Sequence, residues 1–112
     1  MIPDLDLARV RRWVDGRNGE LPTHLREKLR FEIDLTDRAI TVYESRLSNP
    51  ADDQWDKVAV CRFRYTMTKR EWALYWQDGR NRFHLYDQVD PTPHIEALIE
   101  EVRVDPTGIF WG

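Results

Sequence analysis

The chain has 112 residues, a length that suits one domain with a single core. A third of it is charged (33%), but aromatics are plentiful, which excludes wholesale disorder, and a net charge of −3 speaks against wrapping duplex DNA by bulk electrostatics. Cys61 is the lone cysteine, so no internal disulfide can form; no apolar run approaches a membrane span and no leader pattern is present, and the expectation is a cytoplasmic protein without membrane contact.

In chain order, Asp4 is placed to cap a helix reaching about Gly16, with Asp6 in its first turn favouring the helix dipole. Leu7, Val10 and Val14 form its apolar stripe, Trp13 widens it, Arg9 and Arg12 lie off it, and Arg11 is spaced to pair with Asp15. Asn18-Gly19 ends the unit, and a helical turn starts near Thr23. Leu29, Phe31, Ile33 and Leu35 then alternate with Arg30, Glu32 and Asp34, the pattern of a strand with one wet face. Thr36-Asp37-Arg38 turns the chain into a second strand, with Ile40 and Val42 on the apolar side and Thr41 and Tyr43 opposite. Ser48 to Asp56 reads as an acidic loop whose Trp55 folds back over the core.

Val58 to Tyr86 organises the chain: three strand patterns with short polar breaks. Asp78-Gly79 predicts a two-residue hairpin turn in which Gln77 pairs with Arg80, Leu74 with Phe83 and Trp72 with Leu85. The break at Thr68-Lys69-Arg70 closes on either dipeptide with the same facing. The expected buried face is therefore Ala59, Cys61, Phe63, Tyr65, Met67, Trp72, Leu74, Trp76, Phe83 and Leu85.

Thr92 as cap and Pro93 at the first helical position open a last helix, on which Ile95, Leu98, Ile99 and Val102 recur at helical spacing. Asp105-Pro106-Thr107-Gly108 stops it. Phe110 and Trp111 then either dock on their own domain or protrude toward a partner or a second copy, which would make a homodimer. The order helix, five strands, helix predicts an α+β domain: a five-stranded antiparallel meander with both helices on its apolar face.

Charge is divided along the chain. From Lys57 to Tyr86 seven basic residues stand against Glu71 and Asp78, and from Asp87 onward six acidic residues stand against Arg103. The outward face of the meander collects Arg30, Tyr43, Arg62, Arg64, Tyr75, Arg82, His84 and Tyr86. Guanidinium forks bind phosphates and carboxylates, and Arg with Tyr stacks on flat ligands. Ordinary cross-strand Arg–Tyr pairs on a wet face account for the same residues. The leading expectation is a small non-catalytic binding or interaction domain using Arg62, Arg64, Tyr75, Arg82, His84 and Tyr86, with a protein or a small anionic ligand as partner. One alternative is a single-stranded nucleic-acid binder, although no basic-Gly-aromatic motif of the RNA-recognition type occurs. The other is a small enzyme with a pocket near His84, which the sequence pairs with Asp87 alone. Cys61 falls on the buried face, where a thiol is inert. His24, His84 and His94 lack ligand spacing, so neither metal nor cofactor is expected.

Leu7-Ala8-Arg9-Val10-Arg11-Arg12-Trp13, Arg64-Tyr65, Trp72-Ala73-Leu74-Tyr75-Trp76, Phe83-His84-Leu85-Tyr86-Asp87, Pro91-Thr92-Pro93 and Asp105-Pro106-Thr107-Gly108-Ile109-Phe110-Trp111-Gly112 together resemble a small bacterial family of domains of unknown function, DUF3024. The resemblance spans most of the chain and implies a shared fold; it brings no activity and no catalytic residue.

Overall fold

Alternating branched and aromatic residues form five strands: β1 (Leu29–Leu35), β2 (Ala39–Asn49), β3 (Gln54–Thr66), β4 (Glu71–Gln77) and β5 (Phe83–Leu85). The computed structural model describes residues 1–111, and Gly112 lies outside them. The strands pair in sequence order as one antiparallel sheet, the expected meander. Helices α1 (Asp4–Glu20) and α2 (Ile95–Val104) cover one face. Val10 and Val14 of α1 and Ile95, Leu98 and Val102 of α2 close on Ile40, Val42, Cys61, Phe63, Trp72 and Leu74 as a single core. No described helix is long and apolar enough to cross a membrane.

Trp72 is the centre of that core. It is fully buried, and its indole N–H donates to Asp6 Oδ2 at 2.9 Å. Asp6, itself buried, also takes a bond from Arg9 Nη1 at 3.1 Å. A buried donor without an acceptor would cost more than the bond contributes in water, which is why a carboxylate is tolerated on the packed face of α1. The sequence reading of Asp6 as a dipole partner missed this second contact. The Trp72 backbone is also paired, its N–H and C=O meeting Thr92 at 2.7 and 2.9 Å.

Helix α1 runs one turn beyond Gly16 and through Asn18-Gly19. The Asn18 amide bonds both the N–H (2.7 Å) and the C=O (2.9 Å) of Phe31, adding a rung to the open edge of β1. Arg26 donates to the Gly19 and Leu21 carbonyls and closes the helix end. Pro3, not Asp4, occupies the N-cap, and Arg11 forms no ion pair with Asp15. At α2 the cap position falls on His94; Thr92 is drawn into the bridge with Trp72, while its hydroxyl still accepts the His94 N–H.

The β3–β4 register matches the sequence pattern: Phe63 opposes Leu74 and Tyr65 opposes Trp72. The β4–β5 register does not. Gln77 opposes Phe83, Trp76 opposes His84 and Tyr75 opposes Leu85. Asp78 and Arg82 close the hairpin, with Asn81 rather than Gly79 in the left-handed region (φ 63°). The Asp78 carboxylate holds this loop open by accepting the Arg80 and Arg82 amides. Relative to a two-residue turn the pairing shifts by three residues, an odd number, so β5 presents its other side. Phe83 and Leu85 therefore lie on the outer face, and Tyr86 takes the place opposite Leu74. Tyr86 is buried, its ring on Phe110 and its hydroxyl donating to Glu101 at 2.7 Å. Met67 sits in the β3–β4 turn and is exposed.

Two further expectations change. A bulge after Val42 inserts Val60 into the core and pairs Ala59 with Tyr43, on the side away from Cys61. The expected acidic loop is shorter, because β2 and β3 extend as a ribbon; Trp55 pairs with Leu47 inside it and lies beneath Arg30 (4.0 Å) on the outer face, not over the core. The tail docks on its own domain. Asp105 accepts the Phe110 and Trp111 amides, and Trp111 donates to the Val102 carbonyl and packs edge-on to Trp13 and Phe31.

Asp6→Ala removes the acceptor of the Trp72 indole and is expected to cost about 1–3 kcal/mol in urea unfolding. In a Trp72→Phe background the same substitution is expected to cost clearly less, because the two groups are coupled.

Candidate functional site

The outer face of the meander is organised by its registers. Arg62 lies opposite Thr41 on β2 and Tyr75 on β4, and Arg64 lies opposite Ala39 and Ala73. Small residues flank Arg64, so its long side chain stands clear of the sheet and exposed. The β1–β2 turn adds a third cation. Thr36 closes that turn by donating its N–H to the Ala39 carbonyl (2.9 Å) and accepting the Ala39 amide on Oγ1 (3.1 Å). The Arg38 carbonyl then takes the Tyr65 N–H at 2.7 Å, which fixes Arg38 beside Arg64.

Arg62 is tied down. Its Nε donates to Thr41 Oγ1 at 2.8 Å, and its guanidinium lies 3.7 Å from the centroid of Phe83. That stack uses the side of Phe83 that the sequence reading had turned inward. Arg38, Arg62, Arg64, Tyr75 and Phe83 with Thr36 and Ala39 line a hollow of about 340 Å³. A second hollow of about 300 Å³ shares Arg38, Arg64 and Tyr75 and is completed by Tyr65, Thr66, Met67, Thr68 and Ala73. Among the described residues no carboxylate lines either one.

Elsewhere on this face cations are neutralised. Arg30 pairs with Glu32 at 2.6 Å, and Lys57 reaches Glu32 (3.8 Å) and Asp34 (3.5 Å) while lying over Tyr43. Among the described residues Arg38 and Arg64 have no carboxylate partner.

Of the six residues the sequence singled out, Arg62, Arg64 and Tyr75 come together. Arg82 is in the β4–β5 turn, where its backbone bonds Asp78. Tyr86 is inside the domain, where burial raises its phenol above the ordinary range. His84 is on the opposite side of β5, against Trp76 (4.8 Å) and bonded to Asp78 Oδ2 (2.6 Å) rather than to Asp87; it lines neither hollow. Arg38 and Phe83 were missed: one reads as a plain turn residue, the other as core. Burial pushes the Cys61 thiol up, so it stays protonated. Among the described residues no cluster of side chains could hold a metal ion.

Comparison with protein families finds a match to the one described as Domain of unknown function (DUF3024), over residues 2–112. Neither the curated proteins nor the solved structures give a match.

The hairpin that carries Phe83 has its own pH dependence. The His84 contact, followed by the Arg82 amide, holds Asp78 down at about 2. Because the folded value lies below the ordinary one, this contribution is complete above the usual carboxylate range and is lost as pH falls through about 2. In an acid titration followed by NMR, the Arg80 and Arg82 amide resonances are expected to move with a midpoint near 2, and Asp78→Ala is expected to abolish that transition.

Proposed function

This chain belongs to the DUF3024 family, and we propose that it is a small non-catalytic binding domain whose outer sheet face takes an anionic ligand at Arg38, Arg64 and Tyr75. One observation carries the reading: two arginines without carboxylate partners among the described residues meet in a hollow whose described wall holds a third arginine and no acid. Guanidinium groups placed together repel one another, and a cleft with low-dielectric walls concentrates their field. An arriving anion relieves that repulsion and is met by planar forks able to bind it in a bidentate manner. Tyr75 and the Arg62–Phe83 stack supply flat walls beside the charge, so a ligand carrying both an anionic group and a ring fits best. We place its work in the cytoplasm, a reading supported by the single, buried, protonated thiol of Cys61.

Titration with inorganic phosphate, citrate and benzoate, followed by amide chemical shifts, tests the site. The expected result is movement centred on Arg38, Arg64 and Tyr75. Arg38→Ala with Arg64→Ala is expected to weaken binding at least about tenfold while leaving the unfolding midpoint unchanged, since both side chains are exposed. Shifts that avoid these residues with all three anions would overturn the reading.

A further inference from the structure

We infer that the ligand of this face is a two-nucleotide unit of single-stranded nucleic acid chemistry, with its phosphate on Arg38 and Arg64 and one base in each hollow. The inference rests on the anion-binding reading above and adds to it the layout of the site. There are two hollows, of about 340 and 300 Å³, and the cationic pair lies in the wall they share. A lone carboxylate or phosphate would need one depression; a charge flanked on both sides by ring-sized spaces is the plan of a phosphodiester between two nucleosides.

The walls agree with this assignment. On one side, Phe83 with Arg62 stacked on it, together with Tyr75, offers a base both a ring face and a guanidinium plane. On the other, Tyr75 stands with the hydroxyls of Thr66 and Thr68, which can serve a base edge or a sugar. The same face limits how far a strand could run. Toward β1 the cations Arg30 and Lys57 are already engaged by Glu32 and Asp34, so a longer backbone would find no free positive charge there. A short footprint on an acidic protein follows, in contrast to the extended basic groove that the net charge of −3 argued against.

Fluorescence anisotropy and amide shift mapping on the full chain test this with AMP, the dinucleotide d(TpT), labelled (dT)10, a DNA duplex and benzoate. Expected are shifts of Arg38, Arg64, Tyr75 and Phe83 with d(TpT) and (dT)10, at least about fivefold tighter binding of d(TpT) than of AMP, and no comparable binding of duplex. With one phosphate held by the arginine pair the dependence of log K on log salt for (dT)10 should have a slope of about −0.7, and Arg38→Gln with Arg64→Gln should remove most of it. Tyr75→Leu should weaken d(TpT) at least about fivefold with the salt slope unchanged, a pattern that a merely structural role would not give. Tight d(TpT) with no binding of (dT)10 assigns the site to a free dinucleotide; binding of both assigns it to a strand. Should benzoate bind at Arg64 while d(TpT) binds no tighter than inorganic phosphate, the nucleotide assignment fails and the anion site stands. If no anion moves these residues, both fail together.

Discussion

The hydrogen bond between the Trp72 indole and Asp6 is the contact on which the rest of the molecule depends. It ties the start of β4 to the first turn of α1, while the Trp72 backbone is clamped to Thr92 and its ring rests on Tyr65. Trp72 is held from three directions, so β4 cannot slide. Because strand side chains alternate, that single placement also decides that Ala73 and Tyr75 look outward, opposite Arg64 and Arg62. The polar contact in the core thus sets the composition of the surface on the other side of the sheet. A hydrophobic residue in place of Asp6 would fill the space but leave the indole N–H without a partner.

What could be read from the sequence, and what could not, follows the same logic. The β3–β4 pairing was legible because Phe63, Tyr65, Trp72 and Leu74 all want burial and only one facing satisfies them together. The β4–β5 pairing was not, because its deciding feature is a side chain acting as backbone. Asp78 accepts two amides of its own loop, and Asn81 takes the left-handed conformation that the pattern assigned to Gly79. Both outcomes look apolar: one puts Phe83 inside, the other puts Tyr86 there and covers Phe83 with Arg62. Binary patterning cannot rank them, since a Tyr whose hydroxyl reaches Glu101 is as good a core residue as a Phe. The extra turn of α1 was hidden in the same way. Asn18 reads as a helix terminator until β1 offers its edge as a partner.

The divided charge of the sequence takes on a different meaning once folded. The counts suggested a basic meander balanced by acidic flanks, yet the balancing is local. Glu32 and Asp34 are on β1, and they neutralise Arg30 and Lys57 at one end of the outer face. The acids of α2 lie behind the sheet, where Glu101 serves Tyr86, Glu100 serves Arg103 and Glu96 serves Arg9. None of them reaches Arg38 or Arg64. Their positive field therefore persists at the opposite end of the same face, although the protein as a whole is acidic.

The walls around that field come from five separate places in the chain: Thr36 and Arg38 from the first turn, Arg62 and Arg64 from β3, Met67 and Thr68 from the second turn, Tyr75 from β4, and Phe83 from the start of β5. This explains why Arg38 was invisible beforehand. Its importance is not in its local pattern but in the bond between its carbonyl and the Tyr65 amide, a partner 27 positions away that brings a turn residue alongside β3. It also explains why Phe83 had to be turned outward for the site to exist. With Phe83 in the core, Arg62 would lose the ring it rests on, and the hollow would open into flat sheet.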